Sequence, residues 1–506
     1  MDGLLRVTIK RHKVFLTILF IASLLVRLLF FYAFLHNNPL QLSFDSGHYH
    51  DVACALSNGN GFTNADGSAH CYRLPGYPVF LALLYACGDT NVTLALLVQI
   101  VLASLIPILI FLLSLLVFPQ ATTIAFLASA VSAVHVGFVT FAGLVMSETL
   151  FAFFFLLFLI FFLYAMRDCS WRVMAGAGLM LGCASLIRPV GVWIVVLSIL
   201  FIFLCKCLGS HPSIRFATQI TQGERGVRNP FVVSVLRDPV PSESRDEGRV
   251  KCIEPYERRS KFVAAGMLCA TWLLVVSMWL ARNWFIAGGL FLHTLPGPHF
   301  LNHGASRVVM TAQHISYQQA QRQIYAEYEA LLAHERAVKH RALHEYERSA
   351  IAEHYAIGIM FSHPLQTMQL CCINMVKTVL SLYSSELLCI DSGGQLPPYD
   401  TQRSWKSMLM RFLWPSVHNR MIAWVIYVEL LMHFFIMMGV LGWLVHTLRR
   451  RKKVTPTLWY LWCVSAVLIG LSCVCGYARL RLPIEPFFIM LAVSFWMNGA
   501  MGKRVE

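Results

Sequence analysis

The sequence predicts an all-α polytopic membrane protein, a bundle of about ten transmembrane helices. Three observations carry this. Of 506 residues, 57% are hydrophobic and only 13% charged, whereas a soluble globular chain carries about a quarter charged residues. Apolar runs of some 20 residues follow one another, each long enough to cross a hydrocarbon core of ~30 Å at a rise of ~1.5 Å per residue. Those runs are too long for barrel strands, and only helices or closed barrels satisfy every backbone group within lipid.

The elements follow in order. Residues 14–35 form a first span interrupted only by Arg27, whose expected place is the headgroup region, reached by snorkelling. No small-residue cleavage pattern follows Phe34, so the span is read as uncleaved. Arg6, Lys10, Arg11 and Lys13 precede it and place the N-terminus in the cytoplasm. Residues 36–90 form a polar first outer loop, expected to carry short interfacial helices. Spans then alternate over 91–118, 121–141, 149–166, 173–187 and 191–207, completing an N-terminal module (1–208). Residues 209–261 read as a basic cytoplasmic loop. Span 262–281 runs outward to Arg282 and ends a short unit, 262–289.

Residues 290–420 form a second outer region. Within it, 311–354 reads as one long amphipathic helix supported by pairs such as Glu335/Lys339, and 364–388 as an interfacial helix. The C-terminal unit, 421–506, holds spans 421–448, 458–475 and 484–501. Arg449-Arg450-Arg451-Lys452-Lys453 closes the first of these and is the strongest positive-inside signal in the chain. Both termini are then cytoplasmic.

The net charge of +15 is accounted for by these cytoplasmic loops, so no nucleic-acid partner is implied. Fifteen cysteines mostly lie in apolar runs, where they behave as small hydrophobes. Cys54, Cys71 and Cys87 lie within the first outer loop, and a disulfide among them is left open.

The topology gathers ionisable residues on one side. Asp45, Arg73, Glu148, Arg188, Arg282, Arg479, Arg481 and Glu485 all fall at outer helix ends or in outer loops. A charge at a helix centre costs ~2.5–3.5 kcal/mol on insertion scales, and ionisable groups in such chains mark functional sites. A ring of charge at the membrane–water boundary suits a substrate with one apolar and one polar end. Helix capping is the competing reading for Asp45 and Glu148. The histidines, including His48, His50 and those between 293 and 363, have spacings that fit no compact metal-ligand set.

Several motifs carry a resemblance. Asp45 with Tyr49, then Gly59-Asn60-Gly61, then Arg73-Leu74-Pro75-Gly76-Tyr77-Pro78, resembles the first outer loop of polyprenyl-phosphate-sugar-dependent glycosyltransferases of the GT-C fold. This superfamily includes protein O-mannosyltransferases and lipid A aminoarabinose transferases. Met146-Ser147-Glu148, Ile187-Arg188-Pro189, Ala281-Arg282-Asn283 and the 477–483 run with Arg479 and Arg481 are similar to later family segments. The resemblance implies transfer of a hexose or pentose from a polyprenyl-phosphate donor to a glycan, lipid or protein acceptor at the outer face. It implies Asp45 as catalytic base, and Tyr49, Arg73, Tyr77, Glu148, Arg188, Arg282, Arg479 and Arg481 as substrate-binding residues. Better-known relatives have Asp-Glu where this chain has Asp45-Ser46. A second carboxylate is missing there, and a divalent metal is left open. The expected location is a bacterial inner membrane with the site facing the periplasm. The competing functions are a transporter or flippase of lipid-linked sugars, and a ligase or polymerase acting on them.

Overall fold

The computed structural model describes residues 4–36, 45–88, 90–119, 121–168, 170–205, 246–391, 420–451 and 454–500. The chain begins with α1 (Leu4–Phe30, continued by a π-helical turn, Phe31–Leu35), α2 (Asp45–Ser57), α3 (Gly76–Gly88) and α4 (Val92–Val117). Next come α5 (Thr122–Val134), α6 (Val136–Thr140), α7 (Glu148–Asp168), α8 (Trp171–Ile187), α9 (Gly191–Leu204) and α10 (Asp246–Ala287). The segment expected to be the outer region holds α11 (Pro296–His299), α12 (Ser306–Gln313), α13 (Tyr317–Lys339), α14 (Glu345–Ser362), α15 (Pro364–Leu380) and α16 (Ser385–Asp391). The chain ends on α17 (Arg420–Arg449), α18 (Pro456–Leu471) and α19 (Glu485–Ala500).

Among the described residues, five helices are long and apolar enough to cross a membrane: α1, α4, α7, α10 and α17. The pair α5 and α6, bent by 52° at its break, passes the same test when taken together. The apolar helices α8, α9, α18 and α19 are shorter, and the longest of them, α8, has 17 residues, a rise of ~25 Å. These ten elements coincide with the ten apolar runs, and the chain is an all-α polytopic membrane protein. Large apolar side chains on α1, α10 and α17, such as Leu29, Met278 and Trp424, remain exposed, as lipid-facing surfaces require.

Two helix ends, that of α5 at its break with α6 and that of α6 before α7, explain two buried polar residues. Interrupted helices leave carbonyls without intrahelical donors. The Gln99 amide on α4 donates to three of them, on Phe141, Ala142 and Leu144, at 2.8–3.1 Å. Arg27 donates to Ala133 O at 3.0 Å near the end of α5, and to Ser23 O and Oγ. It is 1% exposed. The snorkelling expected of it does not occur, because the broken helix supplies acceptors inside the bundle.

The outer region departs from expectation. Residues 311–354 are not one helix but parts of three. α12 stops at His314 and α13 at His340, both left-handed (φ 54 and 49), the geometry that ends helices. Each restart is capped: Ser316 and Gln319 form a capping box on α13, and the Glu347 carboxylate accepts from His344 N at 2.9 Å. These helices share a small core of Leu301, Val309, Ile324, Leu332 and Ala352. The expected interfacial helix is likewise two, α15 and α16, with Leu365, Met368, Val376 and Leu380 of α15 exposed. Of the expected basic loop, residues 206–245 lie outside the described residues, while the part from Asp246 is helical and continuous with the following span. Lys452, Lys453, Lys503 and Arg504 also lie outside them.

Candidate functional site

Five separate stretches converge where the apolar bundle meets the outer region. Asp45 opens α2 and Glu148 opens α7, positions where the helix dipole favours a carboxylate. Arg188 follows the end of α8. Arg73 precedes α3, and Arg479 sits in the 3-10 turn Ala478–Arg481 before α19. One oxygen of Asp45 takes Arg73 Nη2 at 2.5 Å, and the other takes Arg479 Nη1 at 2.8 Å. Glu148 Oε1 takes Arg188 Nη2 at 2.7 Å and lies 3.9 Å from Arg479 Nε. Arg479 therefore links the two carboxylates.

The first loop presents Arg73. Its guanidinium lies over the rings of Tyr49 and Tyr72, each at 4.9 Å, a cation–π arrangement. Tyr49 donates to Ser147 Oγ at 3.3 Å. The Arg73 backbone N–H donates to His70 Nε2 at 3.0 Å, and His70 Nδ1 meets Asn64 Oδ1 at 2.6 Å. That pattern requires a neutral imidazole protonated on Nδ1. Burial agrees, lowering the His70 pKa to about 4 with help from nearby Arg73.

Electrostatics follow from the pairing. Burial pushes the Asp45 carboxyl up, but Arg479 and then Arg73 outweigh it and hold the group far below the usual carboxylate range. Burial works against the charge of Arg479, but Asp45, Glu148 and Glu386 outweigh it and raise its pKa. Three guanidinium groups thus face Asp45 and Glu148, with Glu386 also within electrostatic reach of Arg479. Arg73 Nε and Glu148 Oε2 are buried without a hydrogen-bond partner, so the cluster keeps spare donor and acceptor capacity. Asp45, with 31% of its side chain exposed, is the member most open to solvent.

Not every residue singled out in the sequence lies here. Tyr77 is fully buried, and its hydroxyl donates to Gln99 Oε1 at 2.9 Å, tying α3 to α4. Arg282 on α10 donates to Phe62 O at 3.0 Å and stacks on Phe62 and Trp279, anchoring the first loop from its far side. Arg481 is fully buried, pairs with Glu485 at 2.5 Å and donates to the carbonyls of Thr378, Val379 and Ser381. It caps the end of α15 in a separate inner cluster with Tyr383 and His433. Cys54, Cys71 and Cys87 are all free.

Other neighbours had no motif to announce them. Glu386 on α16 stands within electrostatic reach of Arg479, Glu148 and Asp45, and burial raises its pKa. His299 also lies within reach of Arg479, Asp45 and Arg73. Around Asp45 itself the donor set does not fit a divalent ion: both its oxygens hold guanidinium groups. Such surroundings suit an anion.

No protein-family model matches the chain, and no curated protein does. The solved structures similar to it include archaeal oligosaccharyltransferase AglB from Archaeoglobus fulgidus in complex with an inhibitory peptide and a dolichol-phosphate. The identity is 13% and the TM-score 0.48, over 98% of this chain and 53% of that one. The Archaeoglobus fulgidus oligosaccharyltransferase tethered to an acceptor peptide gives 13% and 0.48, over 98% and 52%. Its complex with Zn and sulfate gives 13% and 0.45, over 95% and 49%. This chain spans about half the length of these structures.

Proposed function

We propose that the protein is a membrane glycosyltransferase that moves a sugar from a polyprenyl-phosphate donor to an acceptor at the outer, periplasmic face, with inversion. One observation carries this reading: a carboxylate, Asp45, held by two arginines, Arg73 and Arg479, at the end of a lipid-facing bundle. A pair of guanidinium groups suits a phosphodiester monoanion. The order of motifs along the chain supports the same reading.

Donor and carboxylate compete for the same guanidinium groups. A phosphate engaging Arg73 and Arg479 takes them from Asp45, and its carboxylate regains basicity. Asp45 then accepts the proton of the acceptor hydroxyl or amine as that atom bonds to the anomeric carbon. The bond from that carbon to the phosphate oxygen breaks on the opposite side. The departing polyprenyl phosphate gains a negative charge, which Arg73 and Arg479 stabilise. Arg188 holds Glu148 in place beside Arg479.

A transporter of lipid-linked sugars is the second reading, and the broken α5–α6 pair favours it, since interrupted helices line transport sites. The carbonyl of Ala133 near the break is taken instead by Arg27, and those of Phe141, Ala142 and Leu144 after α6 by Gln99, so both serve packing. Purified protein in lipid, given polyprenyl-phosphate sugars labelled in the hexose or pentose, separates the two. Transfer predicts release of free polyprenyl phosphate, lost in Asp45→Asn. Normal turnover by Asp45→Asn would remove Asp45 as base, and no donor consumption with any sugar would favour transport.

A further inference from the structure

Beside the arginine–carboxylate cluster, three soft ligands meet that the transfer reaction does not use. His299 ends α11, His303 lies one turn on in the π-helical stretch Phe300–Ala305, and Cys475 lies in the turn after α18. One donor atom from each falls within 4.8 Å of the other two. We propose that His299, His303 and Cys475 bind a zinc-class divalent ion that clips the outer region to the segment leading into Arg479.

The donor chemistry fits. Two imidazoles and a thiolate are a zinc set, and tetrahedral bonds of ~2.3 Å to sulfur and ~2.05 Å to nitrogen separate those ligand atoms by about 3.6 Å. Cys475 Sγ and His299 Nδ1 are 3.4 Å apart. The two histidines are four residues apart, the spacing that puts side chains on one helix face, and their rings are 5.2 Å apart. His303 Nδ1 is buried and makes no hydrogen bond. Burial lowers the pKa of His299 to about 4 and of His303 to about 3, so both rings are neutral ligands at pH 7. Burial also raises the Cys475 thiol to about 11, so metal binding must displace its proton. Arg307 and Arg479 lie nearby and oppose a cation. The thiolate offsets one of them, and Asp45 is within reach of both histidines.

The location gives the ion a task. Cys475 is four residues before Arg479, and Gly476 and Tyr477 lie between. The Tyr477 ring packs edge-on against His303 and lies 5.3 Å from the Arg479 guanidinium. An ion at this point fixes the turn that presents Arg479 to Asp45. Three protein ligands leave a fourth position for water.

The test needs no glycosyl donor, so its result is independent of the proposed transfer. Full-length protein in detergent is stripped with a chelator and titrated with Co2+. The expected result is one equivalent bound, with a sulfur-to-cobalt charge-transfer band that Zn2+ displaces. Cys475→Ser should abolish the band, and His303→Gln should weaken binding by about tenfold or more. Cys473→Ser, two residues away, should keep both. Each variant is first checked for a monodisperse gel-filtration peak, and His303→Gln carries the test if Cys475→Ser does not fold. Absence of cobalt binding overturns the proposal, as does a band that survives Cys475→Ser or an affinity unchanged in His303→Gln. The 3.4 Å contact would then be a thiol–imidazole hydrogen bond.

Discussion

Asp45 is ionised and doubly paired, and both facts bear on its proposed role. A carboxylate held far below its usual range is a weak base, so its strength has to come from losing Arg73 and Arg479 to the donor phosphate. Asp45→Asn should therefore cost about 10²–10⁴-fold in transfer while leaving the detergent-solubilised protein folded. Arg73→Lys keeps the charge but not the planar fork. It should lower kcat as well as raise KM, because the leaving phosphate gains charge in the transition state; unchanged kcat would assign Arg73 to ground-state binding alone. Buried histidines set a pH dependence, His299 and His303 among them, and two of them show its cause. His70 Nε2 accepts from Arg73 N and His293 Nδ1 from Leu295 N, so protonation would set one donor against another. Burial lowers both pKa values to about 4, against about 6.5 for an unfolded chain. The unfolded state takes up the proton first, so stability is complete above pH ~6.5 and falls as pH drops towards ~4. Melting temperatures across that window should fall, and the fall should be smaller in His70→Gln; a flat profile would contradict the neutral pairing.

At the scale of elements, two glycines hold site-bearing turns in place. Gly76 opens α3 directly after Arg73-Leu74-Pro75, and a Cβ there would lie 2.7 Å from Ile187 Cγ1 and 2.8 Å from Leu186 O, at the end of α8 that carries Arg188. Gly476 is left-handed (φ +66), and its Cβ would lie 2.8 Å from Asn374 Oδ1. Gly76→Ala removes no polar group, yet it should force α3 away from α8 and separate Arg73 from the Glu148–Arg188 pair. Overpacking of this kind costs about 1–3 kcal/mol. The expected outcome is a lower melting temperature together with a disproportionate loss of transfer; equal activity per folded molecule would show that the turn tolerates the shift. Elements of this type were legible where hydropathy or turn chemistry dominates, as in the ten apolar runs and the Pro75-Gly76 turn. They were not legible in 311–354, where Ala, Glu and Gln persist in composition through the chain reversals at His314 and His340. Arg27 was misplaced for a related reason: its acceptor at Ala133 exists only because α5 breaks, and hydropathy does not report a break.

Across the whole molecule, the sequence could say which residues share a side of the membrane but not which of them touch. Parity placed Asp45, Arg73, Glu148, Arg188, Arg282, Arg479 and Arg481 together. Packing then separates Arg282 and Arg481, which brace loops and helix ends, from the five that meet. Glu386 and Cys475 were invisible because their neighbours come from remote stretches, and spacing arguments see only local ones, whereas the four-residue spacing of His299 and His303 is local and was passed over for want of a third ligand nearby in sequence. The sidedness itself gives the last prediction. α8 starts at Trp171 and ends beside Arg188 in the site, so Arg172 lies ~24 Å away along that helix, at the opposite end of the bundle. Asp66, in the first loop, is exposed on the site side. With all fifteen native cysteines replaced by serine, Asp66→Cys should react with a membrane-impermeant maleimide in right-side-out vesicles. Arg172→Cys should react only in inverted ones. The reverse pattern would put the arginine–carboxylate cluster on the cytoplasmic side and remove the periplasmic assignment, while leaving the charge argument for a phosphate-bearing lipid intact.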